Sequence, residues 1–156
     1  MGSETNREKH PIENSFSKSH VLRFAALRPI SPVGRRSLSP SPGSELFGRA
    51  FEHFIILEIL AHSRYSDINY PLQYWRTASQ FEVDLILGRG EVAVEIKSTT
   101  WAKDRHLKGL RAFKEEHNSK YIFVSLDPKP RKTSDGILIL PWKDFLENLW
   151  TNKIIS

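Results

Sequence analysis

The chain has 156 residues, of which 39% are hydrophobic and 26% are charged, a balance that suits one globular domain. It has no cysteine, which excludes disulfides, thiolate zinc sites and cysteine nucleophiles and fits a reducing cytoplasm, and it has no apolar stretch of about 18 residues that would predict a membrane helix. The net charge of +5 is a weak sign of nucleic-acid binding, because residues 1–44, with seven basic and three acidic side chains, carry most of it.

Residues 1–44 are predicted to form a flexible, basic segment. They contain nine serines and five of the nine prolines, and proline disrupts both helices and strand ladders. The composition changes at Ser44, so we predict a folded domain over residues 45–156.

The first half of this domain is predicted to be a helix followed by three strands. Ser44 is the expected N-cap, and the helix is expected to end near Ser63. Its predicted apolar stripe consists of Phe47, Ala50, Phe51, Phe54, Ile55, Leu57 and Ala61. The predicted strands are Ile68–Thr77, Phe81–Leu87 and Glu91–Ser98, with a turn at Gly88-Arg-Gly90 between the last two.

The second half alternates helices and strands. A single helix capped by Asp104 is predicted over Asp104–Asn118, and the last helix, Trp142–Trp150, is predicted to begin after Pro141. The predicted strands here are Tyr121–Leu126 and Gly136–Leu140, separated by a polar loop, Asp127–Asp135.

The hairpin of the second and third strands carries the chemistry. Because strand side chains alternate, each strand is expected to have one aliphatic and one charged face. The predicted aliphatic faces consist of Val83, Leu85, Leu87, Val92, Val94 and Ile96. The predicted charged faces consist of Glu82, Asp84, Ile86, Ala93, Glu95 and Lys97.

A two-residue turn at Arg89-Gly90 would place residues whose numbers sum to 179 opposite each other, and so Asp84 opposite Glu95. Opposed carboxylates destabilise a sheet unless a cation lies between them. We therefore predict a site for Mg²⁺ or Mn²⁺, with Lys97 on the same face to hold an attacking water or offset charge. The alternative is a solvated sheet face with a surface ion pair between Glu82 and Lys97.

The spacing Asp84-x10-Glu95-Ile96-Lys97 resembles the PD-(D/E)xK superfamily of restriction-type endonucleases and archaeal Holliday-junction resolvases. The resemblance implies an α/β, restriction-endonuclease-like core, in which helices flank a mixed sheet made of an antiparallel meander plus a parallel strand. It also implies that Asp84, Glu95 and the backbone carbonyl of Ile96 bind the metal and that Lys97 assists the water. Val83 stands where the proline of the superfamily's name is expected.

Six further motifs occur between residues 45 and 150. They are Gly48-Arg-Ala-Phe51-Glu52, Tyr74-Trp-Arg-Thr77, Glu82-Val-Asp84, Val94-Glu-Ile-Lys97, Leu107-Lys-Gly-Leu110 and Ile139-Leu-Pro-Trp142. Together they resemble the C-terminal, nuclease-like domain of a prokaryotic family of AAA-type ATPases. The resemblance implies that Glu52 supports the catalytic site. The chain has no Gly-Lys pair and hence no P-loop, so the ATPase part is missing from it.

Other candidate residues lie outside the hairpin. Glu58, about 120° from Glu52 around the first helix, is predicted to be a structural hydrogen-bond partner. The predicted nucleic-acid contacts are Trp101, Arg105, Lys108 and Arg111, the last three forming a basic stripe with Lys114. A solvated helix face is the alternative interpretation of the stripe.

The sequence therefore predicts a cytoplasmic domain that hydrolyses phosphodiester bonds, in DNA, with Mg²⁺ or Mn²⁺ as cofactor and no membrane contact. The alternative hypothesis is a catalytically inactive nuclease-fold module that binds DNA or a partner ATPase. A third possibility is that the chain is a truncated fragment of an AAA-type ATPase.

Overall fold

The computed structural model describes residue 41 and residues 43–156, so nearly all of the predicted flexible segment, 1–44, lies outside the described residues. Over the described part, three α-helices and one short 3₁₀-helix flank a six-stranded mixed sheet, which confirms the predicted α/β class. No helix in this part of the chain is both long enough and apolar enough to cross a membrane.

The helices and strands follow the predicted order, with the 3₁₀-helix and the short strand β5 as additions. The helices are α1 (Glu45–Tyr65), the 3₁₀-helix (Asp104–Leu107), α2 (Lys108–Glu116) and α3 (Trp142–Trp150). The strands are β1 (Leu72–Arg76), β2 (Glu82–Leu87), β3 (Val92–Ile96), β4 (Lys120–Ser125), β5 (Arg131–Lys132) and β6 (Leu138–Pro141).

The sheet order is β1-β2-β3-β4-β6-β5. The first three strands form an antiparallel meander, while β4 pairs in parallel with both β3 and β6. The two-residue strand β5 closes the far edge antiparallel to β6. It lies in the region predicted to be only a polar loop, and it is too short to give a pattern of its own in the sequence.

Helix α1 begins as predicted, because the Ser44 hydroxyl accepts a hydrogen bond from the Phe47 N–H at 3.2 Å. The helix ends at Tyr65, two residues beyond the expected end. The predicted apolar stripe is wrong in part: Phe54 and Leu57 are 40% and 43% exposed. The helix instead buries Phe51, Ile55, Ile56, Ile59, His62 and Ser63.

The predicted alternation in β2 is also wrong in part, because this strand contains one extra residue. Gln73 pairs with Ile86, but Trp75 pairs with Val83, so two steps along β1 match three along β2. Val83 consequently shares a face with Ile86, whereas Leu85 belongs to the cluster on the opposite face. The irregularity falls at Asp84 and Leu85, beside the predicted metal site.

The sheet has a hydrophobic cluster on each face. One cluster joins the sheet to α1 and α3, and it includes the predicted aliphatic face of β3 (Val92, Val94, Ile96). The other joins the sheet to the 3₁₀-helix and α2 through Trp75, Leu110 and Phe113. The domain is therefore a three-layer α/β/α arrangement.

The single helix predicted over 104–118 is divided into the 3₁₀-helix and α2. Asp104 does not cap it as predicted, because Asp104 is already the first helical residue and its carboxylate pairs with Arg111. Gly109 lets α2 approach the sheet closely: a Cβ atom there would lie 2.0 Å from the Glu82 carbonyl oxygen.

Candidate functional site

The site lies where β2 and β3 separate. Their ladder pairs Leu85 with Val94 and Leu87 with Val92, which confirms for these residues the predicted register with numbers that sum to 179. The ladder ends before the predicted pair of Asp84 and Glu95. The turn differs from the prediction, because the N–H of Glu91 donates to the Leu87 carbonyl and the connection contains four residues, 88–91. The longer turn preserves the same register.

Asp84 occupies the point where the ladder ends. Its Oδ2 accepts a hydrogen bond from the backbone N–H of Ile96 at 2.7 Å, where a backbone carbonyl of β2 would otherwise be the partner. The N–H and C=O of one strand residue point to the same side of the strand, so the Ile96 carbonyl also faces β2. Asp84 and the Ile96 carbonyl therefore stand on the same side of β3.

Glu95 is buried beside Asp84, with only 6% of its surface exposed. Its Oε1 lies 3.6 Å from the Lys97 Nζ, an ion pair rather than a short hydrogen bond. Its Oε2 is buried and has no hydrogen-bond partner among the described residues. A buried carboxylate oxygen without a donor is costly, so this atom needs either a proton or a cation.

Burial is the main cause of the shifted pKa values of Asp84 and Glu95. Burial, followed by the nearby Asp84 carboxylate, raises the pKa of Glu95 to about 9. Burial and the Glu52 carboxylate raise the pKa of Asp84 to about 7, although the hydrogen bond from the Ile96 N–H opposes this rise. Without a cation, the pair therefore resists carrying two negative charges near neutral pH.

Lys97 is the cation that the chain itself supplies. Burial lowers the pKa of Lys97, but the attraction of Glu95, Asp84 and Glu52 outweighs it and raises the pKa on balance. The Lys97 side chain is half exposed, so its ammonium group remains charged and accessible.

Helix α1 brings Glu52 to the same cluster. Burial raises the pKa of Glu52, while the charge of Lys97 lowers it and that of Glu82 raises it, so Glu52 lies within electrostatic reach of both. Helix α1 packs close to the segment just after β3, since a Cβ at Gly48 would lie 3.2 Å from the Ser98 hydroxyl. Glu58 points elsewhere and accepts a hydrogen bond from the Trp150 indole at 2.9 Å, which confirms its predicted structural role.

The donor set is compatible with a hard divalent cation. Two carboxylates and one carbonyl match the oxygen ligands that Mg²⁺ and Mn²⁺ prefer, with the remaining positions left to water and phosphate. Among residues 43–156, no group of three or more His, Asp or Glu side chains is arranged to hold a metal ion. Any ion at this site would therefore rely on Asp84, Glu95 and the Ile96 carbonyl.

The predicted basic stripe is largely occupied by internal contacts. Arg111 forms ion pairs with Asp104 at 2.9 Å and with Asp135 at 2.8 Å. Lys114 donates to the backbone carbonyl of Asp135 and lies over the Tyr121 ring. Arg111 thus ties α2 to the turn before β6, which leaves it less free to bind phosphate than the helical spacing suggested.

The other predicted contact residues lie near the surface. Lys108 is exposed, and the Arg105 Nε lies 3.1 Å from the His106 ring. Trp101 is 49% exposed and is covered on one side by the Arg131 guanidinium, 4.6 Å from the centre of the indole. This contact could not be predicted from the sequence, because 30 positions separate Trp101 from Arg131 and β5 was not predicted.

The family of the chain can be determined from sequence comparison. A family model described as a domain of unknown function (DUF4143) matches residues 47–145. The chain belongs to this family. The DUF4143 match spans α1 through the middle of α3 and includes Glu52, Asp84, Glu95 and Lys97. No curated protein and no solved structure matches the chain.

Proposed function

We propose that this DUF4143 domain is a divalent-metal-dependent nuclease of the PD-(D/E)xK type that hydrolyses phosphodiester bonds in DNA. The observation that supports the proposal most is the buried Glu95, whose Oε2 has no hydrogen-bond partner among the described residues and which lies near a second, partly buried carboxylate, that of Asp84. Folding alone gains nothing from such a pair, and a divalent cation would compensate for it. On this proposal, the domain would be a nuclease like the one that the C-terminal domain of certain AAA-type ATPases resembles.

Each side chain has a role in this proposal. Asp84, Glu95 and the Ile96 carbonyl would hold Mg²⁺ or Mn²⁺, which when bound lowers the pKa of water and offsets charge on the phosphoryl group. The Lys97 ammonium, half exposed at the edge of the site, would donate to the attacking water or to a phosphate oxygen. The Glu52 carboxylate, with its raised pKa, would accept the proton that the water loses.

Cleavage assays with and without metal test the proposal. The pure protein should cut plasmid or single-stranded DNA in Mg²⁺ or Mn²⁺ and should be inactive in EDTA. We expect Lys97→Ala and Asp84→Ala to lower the rate by at least about 100-fold, because each removes a group that acts on the developing charge. Glu52→Gln is expected to have a smaller effect, about 10-fold or more.

Glu58→Gln is the matched control for Glu52→Gln. Both glutamates lie on α1, but Glu58 contacts Trp150 rather than the site, so its variant should cleave at the wild-type rate. If cleavage persists in Asp84→Ala or Lys97→Ala, or if no DNA is cut under any metal condition, the proposed activity is wrong.

The second candidate is an inactive module that binds DNA or a partner ATPase. It is supported by the raised pKa of Glu95, since a protonated glutamic acid is uncharged and can remain buried without a metal. Such a module would bind DNA or co-purify with an ATPase encoded nearby, and Glu95→Gln would leave that binding unchanged. The nuclease proposal instead requires Glu95→Gln to abolish metal-dependent cleavage.

A further inference from the structure

The segment after β3, which contains Thr99 and Trp101, is held in a defined conformation by hydrogen bonds. The N–H of Leu126 donates to the Thr99 carbonyl, and the Thr99 hydroxyl donates to the Trp101 carbonyl at 3.1 Å. These bonds hold the backbone before Trp101 and the carbonyl of Trp101 itself. Nevertheless, half of the indole remains exposed, although burying so large an apolar group would stabilise the fold.

Arg131 covers one face of this indole and cannot move away freely. Its guanidinium donates to the Ala102 carbonyl at 2.6 Å and to the Asp127 carboxylate at 3.2 and 3.3 Å. Asp127 is only 3% exposed and also accepts bonds from the Ala102 N–H and the Ser125 hydroxyl. A buried ionic network therefore holds a planar cation against the indole.

The side of the indole away from Arg131 is the side we assign to a ligand. Arg131 lies over one face, 4.6 Å from the ring centre, and Trp101 is nevertheless 49% exposed, so we infer that the exposed surface lies on the other face and the ring edge. The flanking segments expose more basic than acidic side chains: Lys103, Arg105 in the 3₁₀-helix and Lys129 are exposed, against the exposed Asp104. A flat apolar surface among cations matches the combination of a base and its phosphates.

This surface is close to the proposed site. Trp101 follows Lys97 by four residues, which limits their Cα separation to about 14 Å. The 3₁₀-helix that follows Trp101 carries His106, whose ring stacks on Phe123. Phe123 is the direct partner of Glu95 in the parallel ladder, so this segment lies over the face of the sheet that carries Glu95.

We propose that Trp101, held by Arg131, stacks against an unpaired base of the substrate, so that the domain acts on single-stranded nucleic acid or on unpaired regions of a duplex. The inference rests on the proposed nuclease function and adds the substrate class to it. Bases inside a duplex have both faces covered by their neighbours, whereas an unpaired base can place one face on an indole. By comparison, a row of basic side chains on a helix would contact only phosphates. It would therefore bind duplex and single-stranded nucleic acid alike.

The rival interpretation is that Arg131 and Trp101 only stabilise the loop. Binding experiments in EDTA separate the two, because no cleavage occurs and affinity is measured directly. The probe is a fluorescent oligo(dT) of about 12 nucleotides, which spans a single-strand site and forms no duplex, compared with a hairpin duplex of similar length. Fluorescence anisotropy gives the Kd for each probe.

We expect Trp101→Ala to raise the Kd for oligo(dT) by about 5-fold to 150-fold and to leave the Kd for the duplex nearly unchanged. Trp101→Phe keeps an aromatic face and should retain most of the affinity. Trp101→Leu keeps apolar bulk without that face and should behave like alanine, so the test stays valid even if the alanine variant unfolds.

Trp150→Ala is the matched control, since Trp150 is similarly exposed (46%) but lies on α3 against Glu58. It should bind oligo(dT) like the wild type. The inference is overturned if Trp101→Leu binds oligo(dT) normally, if Trp150→Ala weakens binding as much, if duplex binding falls in parallel, or if the wild type binds no oligo(dT).

These outcomes are independent of catalysis. Trp101-dependent binding without cleavage in either Mg²⁺ or Mn²⁺ would refute the nuclease proposal but would leave the proposed stacking surface supported. If the protein cleaves DNA but the Trp101 substitutions do not change its Kd for oligo(dT), the stacking surface is refuted and the nuclease proposal remains supported.

Discussion

Glu95 is the fourth of the five residues of β3, and the other four are buried and apolar. An aliphatic residue would stabilise this position, and a carboxylate there costs free energy unless a proton or a cation accompanies it. Asp84 increases that cost, because it places a second acid beside the first. A destabilising pair that also adjoins a charged lysine, Lys97, is characteristic of a functional site rather than of a structural ion pair.

The free energy of unfolding should depend on pH through the carboxylates of Asp84 and Glu95. The folded-state pKa values of Glu95 and Asp84, about 9 and about 7, exceed the ordinary values of 4.5 and 3.8. The folded state therefore holds protons more tightly, and its stability is lost as the pH rises through the folded values. We expect the free energy of unfolding of metal-free protein to fall by on the order of a few kcal/mol between about pH 5 and about pH 9.

Urea titrations at several pH values in EDTA measure this effect. Glu95→Gln should flatten most of the profile, and Glu58→Gln should leave it unchanged, because Glu58 is hydrogen-bonded at the surface. Added Mg²⁺ should restore stability at high pH by favouring the ionised pair. A profile that rises with pH in EDTA would contradict the buried-pair interpretation.

Individual residues differed in how far the sequence could predict them. The register of β2 against β3 could be predicted from a short turn, and it brings Asp84 within electrostatic reach of Glu95, although the ladder ends before these two residues. The ion pairs of Arg111 could not, since Asp135 lies 24 positions away and is brought near by the path of the chain. The same holds for Arg131 and Trp101, whose contact depends on a two-residue strand.

At the scale of elements, the β2 irregularity and the α2 contact shape the site together. The extra residue in β2, at Asp84 and Leu85, lies where the ladder with β3 ends, and there the Ile96 N–H donates to the Asp84 carboxylate. At the start of the same strand, Gly109 of α2 packs against the backbone carbonyl of Glu82. The Leu107-Lys-Gly-Leu110 motif thus has a packing reason, which neither helix periodicity nor strand alternation could have predicted.

Gly109→Ala should destabilise the domain although alanine favours helices. Its Cβ would lie 2.0 Å from a backbone oxygen, and relieving that overlap should cost about 1–3 kcal/mol, more than the gain of up to about 1 kcal/mol in helix propensity. Chemical denaturation measures the difference. Gly48→Ala is the control on α1, where the new Cβ meets only a serine hydroxyl at 3.2 Å and should change stability by less than about 1 kcal/mol. Equal effects of the two substitutions would show that close packing at Gly109 is not the cause.

At the scale of the whole molecule, the element order was predictable from hydrophobic periodicity, because most strands and helices are long enough to show a pattern. The mixed sheet was implied by the resemblance to the PD-(D/E)xK superfamily, since periodicity does not determine which strands pair in parallel. The departures arose where tertiary contacts override local preference: the exposed Phe54 and Leu57 on α1, the division of the 104–118 helix, and β5. The three-layer packing places α1 and the 3₁₀-helix on opposite faces of the sheet. Both can therefore supply residues to the point where β2 and β3 separate.

Calorimetric titration of the metal-free protein with Mn²⁺ or Mg²⁺ near pH 8 tests the central claim that Asp84 and Glu95 form a cation site. We predict saturable binding at millimolar concentrations or below, with release of protons because the ion displaces them from the raised-pKa carboxylates. Glu95→Gln and Asp84→Asn should abolish it, and Glu58→Gln should not. An absence of binding at millimolar metal, or equal binding by Glu95→Gln, would contradict the account.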